Sequence, residues 1–156
     1  MEDIKCLRFR LMMQVMEPYF QKDGLKLLHS NYGYIVFSTN KLHERFKNKG
    51  NGQWQDIKDL FFFTLSFNAE EKGVKIELWC YSDSSVRKAW DDALAGRSGL
   101  YSRFSKKGFD QFYEYEIIPQ VENKDDLLKN TERMIQELRN FFSFKLKEIE
   151  TILLGI

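Results

Sequence analysis

The sequence predicts an α+β domain: a mainly antiparallel sheet of about five strands, with helices packed on one face and a long C-terminal helix. Three observations predict it. Two runs alternate with period two and are joined by a short charged turn, DLFFFTLSFN-AEEKG-VKIELWCYS. Both ends of the chain carry apolar residues at three- and four-residue spacing, the period of an amphipathic helix. The strand-forming runs are linked by tight turns rather than long crossovers, and that implies antiparallel pairing with helices covering the buried face. With 43% hydrophobic and 15% aromatic residues in 156, the chain has enough apolar surface for one core and is not a disordered segment. We find no internal linker and no repeat, so residues 1–156 read as a single domain.

The elements follow in order. Leu7, Leu11, Met12, Val15, Met16 and Tyr19 give a first helix from Ile4 to about Phe20, stopped by Pro18, Asp23 and Gly24. LKLLHSNYGYIVFS is a hairpin whose turn uses Asn31 and Gly33, residues that accept positive φ. Thr39-Asn40 caps a short basic helix, KLHERFKNK, with Leu42 and Phe46 on one face and GNG at its end. In the central hairpin Val74, Ile76 and Leu78 face the core, and the Lys75/Glu77 side is expected to be at least partly wet. Ser82 to Ser85 cap a helix VRKAWDDALAG, a polar loop RSGLYSRFSKKG follows, and FDQFYEYEIIPQ is the last strand.

From Asn123 the chain reads as one long helix with Asp125 and Asp126 in its first turn, where the helix dipole favours carboxylates. Leu128, Ile135, Phe142, Ile149 and Ile156 recur every seven residues, with Leu138 and Ile152 on the complementary seam beside Thr131 and Lys145. A straight helix of this length would reach about 48 Å, longer than the roughly 40 Å breadth of a compact domain. The helix must therefore kink or run past the core. Lys145, Ile149, Ile152, Leu153 and Ile156 are on that ground candidates for contact with a protein partner or a second copy in a homodimer.

No constellation for catalysis emerges. His29 and His43 lie in different elements without metal-ligand spacing, and Cys6 and Cys80 read as buried reduced thiols. There is no nucleophile elbow and no phosphate-cradling glycine loop. The one ExK triplet, Glu70-Glu71-Lys72, falls in the expected hairpin turn, and Asp91-Asp92 lies on a helix face. The reading is no metal and no cofactor. The charged N-terminal segment lacks the apolar region of a signal peptide, and no window has the length of a membrane span, so a cytoplasmic setting and no membrane are expected.

The basic loop remains. Arg97, Arg103, Lys106 and Lys107 are interleaved with Tyr101 and Phe104, cations for phosphates and rings for bases, a combination suited to nucleic acid. An alternative reading is a small enzyme or ligand-binding protein with a pocket lined by Trp54, Trp79, Trp90 and Tyr115.

The segment VKIELWCYSDSSVRKAWDDAL carries a strand of the form V-x-V/I-E-L-Y, a polar break and a helix. With the leading helix, the YGYIVFS strand pair and the closing helix after NKDDLL, it resembles a small bacterial domain of unknown function that often follows PD-(D/E)XK (restriction-like) nuclease domains. The resemblance implies an accessory, non-catalytic role. The sequence thus points to a non-enzymatic module that binds protein or nucleic acid, in a bacterial defence or phage counter-defence setting.

Overall fold

The computed structural model describes residues 4–22, 24–31, 33–66, 73–81, 104–106, 109–118 and 124–155. Along the chain run α1 (Ile4–Gln21), β1 (Leu25–Ser30), β2 (Tyr34–Thr39), α2 (Asn40–Phe46), β3 (Phe61–Ser66), β4 (Val74–Tyr81), β5 (Phe104–Lys106) and β6 (Phe109–Ile118). The C-terminal part comprises α3 (Lys124–Lys129), α4 (Thr131–Asn140), a π-helical turn (Phe141–Lys145) and α5 (Leu146–Leu154). The fold is α+β, as the sequence predicts. Its sheet is antiparallel throughout, in the order β1-β2-β3-β4-β6-β5. The strand not foreseen is β5, which forms inside the segment expected to be a polar loop and pairs with β6 at the sheet edge. The expected VRKAWDDALAG helix, the Glu70-Glu71-Lys72 turn and Asp91-Asp92 lie outside the described residues.

Alternation in β3 and β4 decides the layers. Phe61, Phe63 and Leu65 register with Cys80, Leu78 and Ile76, and β2 adds Phe37 and Ile35 beside Phe63 and Leu65. The closing helix lies on this face. Phe141 meets the rings of Phe63, Tyr113 and Tyr115, while Phe142 meets Phe37 and, from α1, Tyr19. On the opposite face Trp54 stacks on Phe62 at 5.3 Å, and Tyr81 hydroxyl donates to the Ile57 carbonyl at 2.8 Å, fixing the 47–60 connection over the sheet. Gly50 belongs to that closure. A Cβ there would stand 2.8 Å from the Asp59 carbonyl oxygen and from the Tyr81 ring, too close for any side chain.

Two expectations about helices are refined. Pro18 does not stop α1, which continues to Gln21; the Lys22 amide still reaches the Pro18 carbonyl, and Gly24 at φ +79° then turns the chain. The closing helix bends in two ways. Asn130 (φ −97°, ψ 5°) separates α3 from α4, and the π turn admits one extra residue, so that Phe141 and Phe142 both face the core. Beyond it the buried stripe is Leu146, Ile149 and Leu153, one position out of phase with the Lys145/Ile152 seam read from the sequence. Leu128, a heptad position on paper, is half exposed. No helix among the described residues is long and apolar enough to cross a membrane.

Candidate functional site

α1 and the closing helix touch the same core and meet at Tyr19 and Phe142, but part beside Thr131 to Arg139. Between them lies an open groove of about 450 Å³, walled by Leu11, Val15, Pro18 and Tyr19 of α1 and by Thr131, Ile135 and Arg139 of α4. Tyr19 continues into a second depression of about 230 Å³ with Leu25, Phe142, Ser143, Leu146 and Lys147. Most of those residues recur in a third, of about 290 Å³, that ends at Thr39, Lys41 and Glu150. Tyr19 links the first depression to the second and four residues link the second to the third, so the three follow one another along the closing helix as a trough pinched at Tyr19. The Tyr19 and Phe142 rings, 4.4 Å apart, meet where the depressions join. The floor is apolar and the rim is mostly cationic: Lys41, Arg139 and Lys147 are exposed and enter no ion pair among the described residues, against one rim acid, Glu150.

The contact residues expected on the far end of the closing helix are redistributed. Ile149 and Leu153 are 0% exposed in a single chain. They belong to its own core and are not available to a partner or a second copy. The helix that carries them, α5, packs against α2. Ile152 is partly buried, and Ile156 lies outside the described residues. Lys145 sits on the sheet side, its ammonium 5.3 Å from the Tyr113 ring centroid and 3.4 Å from the Glu148 carboxylate. Phe144, in contrast, is 74% exposed.

Of the basic-loop candidates, Phe104 and Lys106 fall in the edge strand β5. Arg97, Tyr101, Arg103 and Lys107 lie outside the described residues, as does Trp90. The other aromatics proposed for a pocket are taken up in packing. Trp54 is stacked between Tyr34 and Phe62, Trp79 Nε1 donates to Thr64 Oγ1 at 3.1 Å, and Tyr115 hydroxyl donates to Glu137 Oε2 at 2.6 Å. That last bond, with burial, pushes the Tyr115 phenol up to about 12. None of the three lines the trough.

Two polar groupings escaped the sequence reading. The Lys75/Glu77 side is drier than expected: Glu77 is 5% exposed, taking hydrogen bonds from Ser66 Oγ at 2.9 Å and from Gln111 Nε2, and Lys75 is half-buried 3.9 Å from Glu114. Period-two alternation assigns a face but says nothing of what covers it. His43 likewise is tied into the fold, its Nδ1 lying 2.8 Å from Oδ2 of the buried Asp59. Burial pushes the Asp59 carboxyl above its ordinary range, partly offset by the hydrogen bond and charge of His43. No group of three or more His, Cys, Asp or Glu able to hold a metal comes together among the described residues.

The trough itself has a trace in the sequence. Thr131, Ile135 and Arg139 step by four along α4 beside the core stripe of Met134 and Leu138, and Leu11, Val15 and Pro18 do much the same on α1. Such second stripes mark a helix face that core packing does not consume. Compared with protein-family models, curated proteins and solved structures, the chain matches none.

Proposed function

We propose that the domain is a non-enzymatic interaction module, working in the cytoplasm, that binds a protein partner along the trough between α1 and the closing helix. The observation that carries this reading is the pairing of an apolar floor with the rim cations Lys41, Arg139 and Lys147, which enter no ion pair among the described residues. The polar clusters around Glu77 and His43 serve the fold instead, since each named acid is already engaged by neighbouring side chains. A place in bacterial defence or phage counter-defence is part of the proposal and rests on the resemblance of VKIELWCYSDSSVRKAWDDAL alone.

Photo-crosslinking tests it. Gln14 is exposed and lines the trough, whereas Lys49 is exposed and does not. With p-benzoylphenylalanine at each position in turn, a discrete nuclease-resistant adduct from position 14 and none from position 49 is the expected result. No adduct from position 14 would overturn the reading.

A second reading, nucleic-acid binding at the β5 edge, is favoured by the edge-strand position of Phe104 to Lys106. Cations on an edge strand also deter strand pairing with other chains, so charge alone does not decide it. If this edge binds nucleic acid, changing Arg97, Arg103, Lys106 and Lys107 to Ala should weaken binding and flatten its salt dependence, by roughly 0.7–0.9 in log–log slope per lost phosphate contact. Unchanged affinity and slope would remove this reading.

A further inference from the structure

From the charge and shape of the trough we infer the chemistry of its occupant: an amphipathic α-helix with an aliphatic stripe and acidic residues about two turns apart on its flank. The inference rests on the protein-binding reading and sharpens it. Shape argues for a helix. The trough follows the closing helix from Thr131 to Glu150, about 28 Å at the helical rise; its first part is walled by a helix on each side, α1 and α4, where a third helix buries one stripe without presenting unpaired backbone groups, and its second part runs past Leu25 and Thr39 to the start of α2.

Charge argues for acids. Arg139 and Lys147 stand eight residues apart on the same side of the closing helix, about 12 Å along its axis, with Lys41 beyond them from α2. None of these cations has an ion-pair partner among the described residues, and the rim contributes a single acid, Glu150. A partner helix lying nearly parallel or antiparallel to the closing helix would meet the first two with carboxylates seven or eight residues apart. A basic helix would set like charges against the rim, so the pattern also selects against wrong partners. Side chains of the occupant need only be aliphatic and of moderate size, since the floor residues Leu11, Val15 and Ile135 offer a shallow apolar surface.

The experiment uses the full chain and three synthetic helical peptides of about 19 residues, a length that matches the trough. One carries Leu at three- and four-residue spacing with Glu on its flank eight apart; its twin has Lys for Glu; the third has the acidic sequence broken by a central Pro. The acidic helix should bind at least about tenfold more tightly than the lysine twin at low salt, with methyl shifts at Leu11, Val15 and Ile135, and the Pro peptide should lose binding. Arg139→Glu combined with Lys147→Glu, two exposed positions that leave the core untouched, should reverse the preference between the twins. Equal binding of the twins, no reversal in the double variant, or shifts confined to another surface would each overturn the inference. If the crosslink from position 14 is nevertheless obtained, protein binding stands and only the acidic-helix chemistry falls. If that crosslink is absent, the reading beneath the inference has failed as well.

Discussion

His43 Nδ1 and Asp59 Oδ2 lie 2.8 Å apart, a contact that ties α2 to the segment entering β3 across sixteen residues of sequence. Asp59 is 4% exposed, and burial holds its carboxyl above the usual value of 3.8 despite the neighbouring imidazole. A raised acid binds its proton more readily in the folded state, so its contribution to stability falls as pH rises from the ordinary carboxylate range through the raised value. His43→Ala removes the group that opposes this. The variant should lose on the order of 1–3 kcal/mol near neutral pH, and the loss should shrink as pH falls below the raised Asp59 value. Urea unfolding of both proteins across that range checks it; a loss independent of pH would show that His43 acts through packing alone.

Glu77 and Gln111 make the second predicted pair. Gln111 Nε2 donates to Glu77 Oε2, and Ser66 Oγ donates to Oε1, so both carboxylate oxygens are occupied in a buried setting. Glu77→Gln replaces one of the two acceptor oxygens by an amide donor and removes the charge, so that Ser66 or Gln111 must turn to accept, and should cost about 1–3 kcal/mol. Adding Gln111→Glu restores a donor–acceptor pair with the roles exchanged and should recover part of that loss. A double-mutant cycle measured by denaturant unfolding gives the coupling directly, and strictly additive losses would refute it.

Tyr115 offers a spectroscopic check. Its hydroxyl donates to Glu137 Oε2 at 2.6 Å, and the phenol is pushed up from 10.0 to about 12, first by this bond and then by burial. The neutral phenol is the form the fold favours, so its stabilisation is complete below the unfolded value and is lost as pH rises toward the folded one. Ultraviolet titration should show a late-ionising component that Tyr115→Phe diminishes by one tyrosine, at a cost of about 1 kcal/mol. An unchanged titration curve in the variant would assign the late step elsewhere.

What the sequence made legible follows from how local the signal is. Phe61, Phe63 and Leu65 alternating with Phe62, Thr64 and Ser66 need no partner to announce a strand, and the closing helix announces itself by its period. Strand β5 could not be read that way, since Phe104 to Lys106 is too short to show a period and gains its strand character from pairing with β6. The π turn is hidden for a related reason: FFSFK contains no helix breaker, and the extra residue is accommodated because the sheet offers contacts to both Phe141 and Phe142. The His43–Asp59 and Glu77–Gln111 contacts join elements far apart in the chain. The trough depends on where two helices diverge, which their separate periodicities do not contain.

The π turn gives the last prediction, because it decides which apolar residues of the closing helix are core. A continuous α-helix would bring Lys145, Ile149 and Ile152 to one seam; with one residue inserted, Leu146, Ile149 and Leu153 are buried, Ile152 is partly covered and Phe144 is left 74% exposed. Three single substitutions read this order out. Ile149→Asp would bury a carboxylate in the apolar core and should destabilise by about 4 kcal/mol or more, enough to unfold a marginal domain. Ile152→Asp keeps a path to water and should cost clearly less. Phe144→Glu should change stability by no more than about 0.5 kcal/mol, because the ring it removes makes little use of the core. Chemical unfolding ranks the three, and sedimentation velocity run alongside asks whether any of them alters the assembly state. If Ile152→Asp proved as damaging as Ile149→Asp, the helix would be in α-helical register through Phe141 to Lys145 and the phase shift would be wrong. If Ile149→Asp left the fold intact but changed sedimentation, Ile149 would lie in a contact between chains instead of the core of one.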